Sequence, residues 1–217
     1  MKESFSTKII SATPNLEENI VYCARVSSKK QDAENADRLL GYLIKNGHWS
    51  PFEMVNICVE VVTSRMISPQ ILRHRSFSFQ EFSQRYSAVD ECVIYEARLQ
   101  DQKNRQNSIE TEDKELQDWW ERTQYTVWDF AQDCYQKALN KGIAKELARG
   151  ILPGISKTKL YMNGSLRSWI HYLEVRTDPT TQKEHREIAN SIKDLFVSEY
   201  PIITKALNWG NNVKNNI

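Results

Sequence analysis

The most regular pattern in the chain is the alternation of apolar and polar residues in MVNICVEVVTS, residues 54–64. The apolar positions form one face, which predicts a strand with that face in the core. They are Val55, Ile57, Val59 and Val61. SFSFQ (76–80) and KTKLYMN (157–163) alternate in the same way and predict two further strands. CVIYEARL (92–99) is a weaker candidate for a strand, and the polar residues 101–115 predict a loop or a surface helix.

Apolar residues spaced three and four apart predict the helices. We expect a first helix over residues 16–27 behind a capping Asn15, and a second over 34–46 that ends at Gly47. Further helices are predicted over 115–141, over 166–176 behind a capping Ser165, and from Lys183 with an interruption at Pro201. Short helical turns are expected at SPFE, where Ser50 begins a capping box, at Ser68-Pro69 and at KELARG. The longest helix carries a stripe along one side: Trp119, Thr123, Val127, Phe130, Cys134 and Ala138.

These elements predict an α+β fold, with a helix-rich single domain over residues 1–217 around a small, mostly antiparallel sheet. The length suits one domain, and a hydrophobic fraction of 40% is enough for a core. The four cysteines are far apart and no CxxC or HExxH motif is present, so we expect free thiols and no metal site. With no signal sequence and no apolar run of ~18 residues, we expect a cytoplasmic protein without a membrane partner.

Charge is concentrated locally rather than globally. The formal net charge is +1, which gives no overall basic field for a nucleic acid. The segment RHRSFSFQEFSQRY (73–86) nevertheless holds three arginines and a histidine. Arginine binds phosphate bidentately and stacks on rings, so arginines with apolar neighbours suit a nucleotide-shaped ligand. Five arginines have such surroundings: Arg73, Arg75, Arg149, Arg167 and Arg176.

Other interpretations of the same residues stay open at this point. Each arginine taken singly is explained better by solvation or by an ion pair with Glu81 or Glu174, and only the density of such residues in 73–86 favours a site. We expect His185, within KEHRE, to be solvated, and the phenylalanines of SFSF to pack in the core. A single-strand nucleic-acid module with basic and aromatic residues is the competing class, and the net charge disfavours it. A flavin or nucleotide enzyme with a different substrate is a second alternative.

Four motifs, in order along the chain, resemble those of the flavin-dependent thymidylate synthases. Arg73-His74-Arg75, followed by Ser83-Gln84-Arg85, resembles the family signature. GHWSPFE, ELARGILP and SLRSWIHYLEVR resemble three further family segments. The resemblance implies reductive methylation of dUMP to dTMP, with methylenetetrahydrofolate as carbon donor, NADPH as reductant and bound FAD as hydride carrier. It also implies a homotetramer in which FAD and dUMP sites are shared between subunits.

The resemblance also implies the site residues. Positions matching flavin contacts are Ser50, Arg73, His74, Arg75, Glu81, Ser165, Arg167 and His171. Positions matching dUMP contacts are Gln70, Arg73, Ser83, Gln84, Arg85, Arg149 and Arg176. Arg176 matches the arginine that polarises the uracil ring, and we therefore expect it to be the catalytic residue. His171, Gln80 and Thr180 differ from the residues that are frequent in the family at these positions.

Ser83 is the other candidate for a central role, because it is the hydroxyl of the signature. A serine hydroxyl is a weak nucleophile unless an adjacent base activates it. Its neighbours are Gln84 and Arg85, and arginine cannot accept a proton. We therefore predict that Ser83 forms a hydrogen bond with dUMP and that Arg176 stabilises charge on the pyrimidine.

Overall fold

The computed structural model describes residues 5–29, 31 and 36–209. In this part of the chain the strands are β1 (Ser6–Ala12), β2 (Asn56–Ser64), β3 (Ser78–Glu81), β4 (Arg98–Gln100), β5 (Ser108–Glu110) and β6 (Lys157–Ser165). The helices are α1 (Leu16–Ala24), α2 (Ala36–Lys45), α3 (Ser68–Ile71), α4 (Lys114–Asn140), α5 (Lys145–Ala148), α6 (Leu166–Arg176), α7 (Lys183–Glu199) and α8 (Pro201–Ala206). Ser50–Glu53 and Arg149–Ile151 form 3-10 helices. The predicted α+β class is confirmed.

The chain forms two compact units. The first unit contains Val62–Arg73 and Gln80–Leu160, and the second contains Thr7–Val61, His74–Phe79 and the chain from Tyr161 onward. A four-stranded sheet has the order β1-β2-β6-β3, and β4 pairs with β5 in a separate antiparallel ribbon. Each unit is assembled from several separate segments, and the prediction of a single domain stays a prediction.

Strand β2 and the helix boundaries follow the sequence pattern closely. Val55, Ile57, Val59 and Val61 are fully buried, as their alternation predicts. Gly47 has φ of 67° directly after α2, a conformation that glycine adopts without steric cost and that ends the helix. Ser165 caps α6 by accepting a hydrogen bond from the Ser168 backbone N–H. These elements confirm the corresponding predictions.

Two predicted caps do not form. Asn15 occupies the N-cap position of α1 in a left-handed conformation, but its side chain makes no capping hydrogen bond. Ser50 lies inside the 3-10 helix that follows Trp49, so it is the first helical residue and not the cap of a capping box. The carboxylate of Glu53 binds Arg167 instead of closing that box. The sequence motif therefore predicted the turn correctly and its hydrogen bonds incorrectly.

The second unit has an aromatic core around Trp169. This side chain is fully buried and donates its indole N–H to the Ile57 carbonyl at 2.9 Å. Phe77 lies edge-on to Trp169 with ring centroids 4.8 Å apart, which confirms that a phenylalanine of SFSF packs in the core. A Cβ placed on Gly164 would lie 2.5 Å from a ring carbon of Phe77. The missing side chain at Gly164 thus allows Phe77 to reach the core.

We expect Gly164→Ala to destabilise the protein by roughly 1–3 kcal/mol, because the added methyl group overlaps the Phe77 ring in a packed interior. Urea unfolding at neutral pH measures the change. Gly150→Ala is the matched control, since a Cβ at Gly150 meets no atom within 4 Å. Equal stability of the two variants would contradict this account of Gly164.

The first unit corrects the prediction for residues 92–99. Only the last two of these residues lie in a strand, β4. Gln124 on α4 accepts from the Tyr95 N–H at 3.0 Å and donates to the Tyr95 carbonyl at 2.7 Å. Gln117 brackets Ala97 in the same way, at 2.8 and 2.9 Å. Glutamine side chains therefore replace a neighbouring strand as hydrogen-bond partners of this backbone.

Residues 101–115 and the stripe on α4 also differ from expectation. Part of this polar segment forms β5, in which Ile109 pairs with Leu99. The buried residues of α4 are Gln124, Trp128, Ala131 and Tyr135. Three residues of the predicted stripe are exposed instead, with Trp119, Val127 and Phe130 at 55%, 50% and 71% exposure, and the other three are half-buried. The spacing of large residues on α4 predicted a stripe along one side of the helix, but it did not predict which side is buried.

Candidate functional site

Arg176 and His74 meet in the second unit, although 102 residues separate them. Arg176 is the last residue of α6, and His74 lies between α3 and β3. The Arg176 Nε–H donates to His74 Nε2 at 2.8 Å. Both side chains are partly exposed, and no further hydrogen bond within the described residues engages the terminal nitrogens of Arg176. Those nitrogens are therefore available to a planar or anionic ligand.

The charge state of His74 follows from this contact. Burial lowers the pKa of His74 to about 4, with electrostatic repulsion from Arg176 and then from His171 as lesser causes. At neutral pH the ring is thus uncharged, and its Nε2 lone pair accepts from Arg176. A neutral imidazole that accepts at Nε2 carries its proton at Nδ1.

Tyr172 and His185 continue this arrangement into the core. The Tyr172 hydroxyl lies 3.0 Å from His185 Nε2, and both residues are fully buried. The Tyr172 ring is edge-on to His74, with centroids 4.8 Å apart. The prediction that His185 is solvated is wrong. His185 lies on the buried side of α7, because it is three residues before the buried Ile188, and the charged residues beside it in the sequence do not change this.

Acid should unfold the protein partly through His185. Burial, with Arg176 and His74 as lesser causes, lowers the pKa of His185 from 6.5 to about 3. Between these values the unfolded chain binds a proton that the folded chain does not, so the free energy of unfolding falls as the pH falls. Each such proton contributes at most about 1.4 kcal/mol per pH unit. We expect His185→Gln to lose less stability than the wild type between pH 6.5 and 5 in urea titrations. Parallel pH curves for the two proteins would contradict this.

A second cluster in the same unit is centred on Glu53. Its Oε1 accepts from Arg167 at 2.9 Å, and its Oε2 accepts from the hydroxyl of Ser165. That hydroxyl also accepts from the Ser168 backbone N–H, so it acts both as a donor and as an acceptor within the chain. The Arg167 side chain remains 54% exposed. Two residues assigned to the flavin thus lie together, with Arg167 the one more available to a ligand.

In the first unit, Glu146 brings together two residues assigned to dUMP. Arg85 forms an ion pair with its carboxylate at 3.1 Å, and Arg149 Nε donates to its backbone carbonyl at 3.2 Å. Lys145, the neighbouring residue, donates to the Tyr86 carbonyl at 3.1 Å. We call Arg85, Glu146 and Arg149 the Glu146 cluster. It places two guanidinium groups on one surface, which is suited to a phosphate.

Glu81 has structural partners in the first unit. Its Oε2 pairs with Arg65 at 2.7 Å, and its Oε1 accepts from Thr158 at 3.0 Å. Arg65 also donates to the Phe82 carbonyl at 2.8 Å. Both carboxylate oxygens therefore have partners within the chain, and the ion pair expected between Glu81 and a site arginine is made by Arg65 instead.

The remaining candidates differ in exposure. The exposed ones are Ser50, Arg73, Arg75, Ser83 and His171. Gln70 is half-buried and Gln84 is buried. Exposure leaves the first group accessible to a ligand, and within the described chain no hydrogen bond or ion pair joins these five residues to one another. Their roles as flavin or dUMP contacts stay predictions.

Sequence reasoning missed four residues that organise these clusters: Glu53, Glu146, Tyr172 and His185. Glu53 and Glu146 lie inside two of the family motifs, but no sequence pattern marks a glutamate as the partner of a particular arginine. His185 was detectable, because it continues the apolar positions Ile188 and Ile192 toward the start of α7.

Two further structural findings concern the described residues. No group of three or more histidine, cysteine, aspartate or glutamate side chains is placed to hold a metal ion. No helix is both long enough and apolar enough to cross a membrane.

Known proteins resemble this chain along most of its length. It is 55% identical over 190 residues to a flavin-dependent thymidylate synthase from Synechocystis, covering 88% of each chain. It is 47% identical over 209 residues to a probable flavin-dependent thymidylate synthase of Paramecium bursaria Chlorella virus 1, covering 95% of this chain and 97% of the relative. Its fold matches that of a UMP/dUMP methylase from Streptomyces cacaoi with a TM-score of 0.84, at 24% identity, over 94% of this chain and 95% of the other.

The matched region contains every residue of the clusters described above. The model of the thymidylate synthase complementing protein family spans residues 8–202, from β1 into α8. The resemblance noted in the four sequence motifs is thereby confirmed. The chain belongs to the thymidylate synthase complementing protein family.

Proposed function

We propose that this protein is a flavin-dependent thymidylate synthase that methylates dUMP to dTMP. Methylenetetrahydrofolate donates the carbon, NADPH is the reductant, and FAD is the cofactor. The single observation that carries this function is Arg176, whose guanidinium is held through Nε by the neutral His74 and keeps its terminal nitrogens available. The high identity to relatives named flavin-dependent thymidylate synthases supports it.

Arg176 acts on the pyrimidine. Addition of a carbon or hydride to the uracil ring proceeds only if negative charge on that ring is stabilised. A positioned guanidinium provides this stabilisation without reorganising, and it stays protonated throughout. His74 contributes by holding Nε, so that the bidentate edge formed by the terminal nitrogens has a fixed orientation.

The donor set of the second unit fits FAD. Arg75, Arg167 and His171 are exposed there, and guanidinium and imidazole N–H groups match the oxygens of a diphosphate. FAD, when bound, supplies the hydride chemistry, while the protein supplies orientation and electrostatics. Ser165 and Glu81 hold their neighbours in place, since their oxygens already have partners.

The phosphate of dUMP binds at the Glu146 cluster. Arg85 and Arg149 supply the positive charge, and the Ser83 hydroxyl lies two residues before Arg85 on the same segment. Gln70, Arg73 and Gln84 complete the set of groups assigned to dUMP. Removing one neutral hydrogen bond, such as that of Ser83, weakens binding by roughly 0.5–1.5 kcal/mol.

Four copies of the chain assemble, and they share the sites. The exposed side of α4 supports this assembly, because Trp119, Val127 and Phe130 form an apolar surface on one helix. A second copy of the same helix is the occupant that we assign to it. The location of the enzyme is the cytoplasm, in keeping with free cysteines at positions 23, 58, 92 and 134.

Growth of a thymidine-requiring cell that lacks its own synthase tests the function. The wild-type chain should restore growth without thymidine, and Arg176→Ala is the matched inactive control. The purified protein should bind FAD, be bleached by NADPH without oxygen, and form dTMP only when methylenetetrahydrofolate is present. Failure to restore growth, together with failure to bind added FAD, would contradict the proposal.

A further inference from the structure

A buried row of polar side chains leads from α7 to Arg176. His185 Nε2 lies 3.0 Å from the Tyr172 hydroxyl, the Tyr172 ring is edge-on to His74, and His74 Nε2 accepts from Arg176 at 2.8 Å. Tyr172 and His185 are both 0% exposed. Neither residue can touch a ligand in this structure, so any effect on the reaction is indirect, and His74 is the side chain that contacts both Tyr172 and Arg176.

The polar atoms of this row are costly to bury. A buried hydroxyl or imidazole destabilises the core unless it is hydrogen-bonded. The Tyr172 hydroxyl and His185 Nε2 satisfy each other, but His185 Nδ1 has no hydrogen-bond partner within the described residues. Apolar residues of similar volume would fill this space without that cost, which indicates that the polar pair serves another purpose.

The pair restricts the His74 ring. The hydrogen bond to His185 fixes the Tyr172 ring along its long axis, and the edge-on contact with His74 limits how that imidazole can turn. A His74 ring held in this orientation presents Nε2 to Arg176 as the acceptor. The orientation of the Arg176 guanidinium therefore depends on Tyr172 and His185, although neither is hydrogen-bonded to Arg176.

We propose that Tyr172 and His185 are positioning residues for Arg176 and act through His74. This inference rests on the proposed function, because it deepens the role given to Arg176. Its chemical content is that the Tyr172 ring, held by the hydrogen bond between its hydroxyl and His185, keeps the His74 imidazole in the orientation in which Nε2 accepts from Arg176.

Tyr172→Phe tests the inference, because it removes the hydroxyl that anchors the ring to His185 while keeping the volume of the ring in the core. We expect kcat for dTMP formation to fall about ten-fold or more, since small misplacements of a catalytic group are costly. FAD content and KM for dUMP should change less than two-fold. Tyr22→Phe, at a tyrosine that is 49% exposed, is the control and should keep wild-type kcat.

A second measurement does not depend on activity. Spectra of 15N-histidine-labelled protein distinguish the two neutral forms of an imidazole, and the chain has four histidines, so His74 can be assigned with a His74→Gln variant. The wild type should show the Nδ1–H form at His74, and Tyr172→Phe should show a mixture. A Tyr172→Phe protein with either the wild-type His74 signal or the wild-type kcat overturns the inference.

Variants at His185 keep the test decisive if Tyr172→Phe folds poorly. His185→Gln retains a hydrogen-bonding group for the Tyr172 hydroxyl, whereas His185→Leu removes it. We expect His185→Gln to retain most of kcat and His185→Leu to lose about ten-fold. Equal kcat in these two variants overturns the inference. An active Arg176→Ala contradicts the proposed function itself, whereas an unaffected Tyr172→Phe beside an inactive Arg176→Ala contradicts only the positioning role.

Discussion

Arg176→Ala should lose dTMP formation by about 10²–10³-fold, the usual cost of removing a positioned donor to developing charge. The variant should still bind FAD, because the exposed donors Arg75, Arg167 and His171 are unchanged. Turnover at saturating dUMP and the visible absorbance of bound flavin measure the two properties. Arg176→Lys should not restore turnover, since an ammonium group lacks both the Nε–H that binds His74 and the planar edge.

Ser83→Ala separates this role from simple binding. The exposed serine is assigned one hydrogen bond to dUMP, so its loss should raise KM for dUMP while dTMP formation remains measurable. An inactive Ser83→Ala with normal dUMP affinity, beside an active Arg176→Ala, would reverse the two assignments.

Mixing Arg149→Ala and Arg176→Ala subunits should restore activity that neither variant has alone. If a site takes Arg149 from one chain and Arg176 from another, random mixing leaves about a quarter of the sites intact. The experiment unfolds and refolds the two variants together, or co-expresses them, and measures dTMP formation. Arg85→Ala mixed with Arg149→Ala is the matched control, because both residues contact Glu146 within one chain and should fail to complement. No recovery in the first mixture would contradict shared sites.

Periodicity predicted the parts of the fold whose burial is one-sided. The alternation in β2 and the capped helix α6 appear as expected, because each places a continuous apolar face in the core. The pattern was insufficient on α4, where both sides carry large residues and the side with Trp119 is exposed. It was also insufficient for residues 92–97, where the backbone of Tyr95 and Ala97 pairs with glutamine side chains of α4 rather than with a strand.

The candidate site shows the same division. Motifs identified the arginines and histidines that are assigned to the site, since each lies in a recognisable local sequence. They did not predict the partners, because a contact such as that between His74 and Arg176 joins segments 102 residues apart. Glu81 illustrates the consequence: its assignment as a flavin contact stays a prediction, and its partners Arg65 and Thr158 were not foreseen.

The glutamines of α4 also determine where the chain can tolerate an insertion or a deletion. Gln132, Gln124 and Gln117 bind the backbone at Val89, Tyr95 and Ala97 in turn, so the helix contacts particular residues of the segment at about every second turn. Deleting one residue between Val89 and Ala97 would move the peptide groups away from their amide partners at several points together. Within the described residues, the turn between β4 and β5 makes no hydrogen bond to α4, and the next backbone group that binds Gln117 is the carbonyl of Thr111, after β5. Insertions and deletions among related sequences are therefore expected at residues 101–107, where no hydrogen bond to α4 fixes the number of residues.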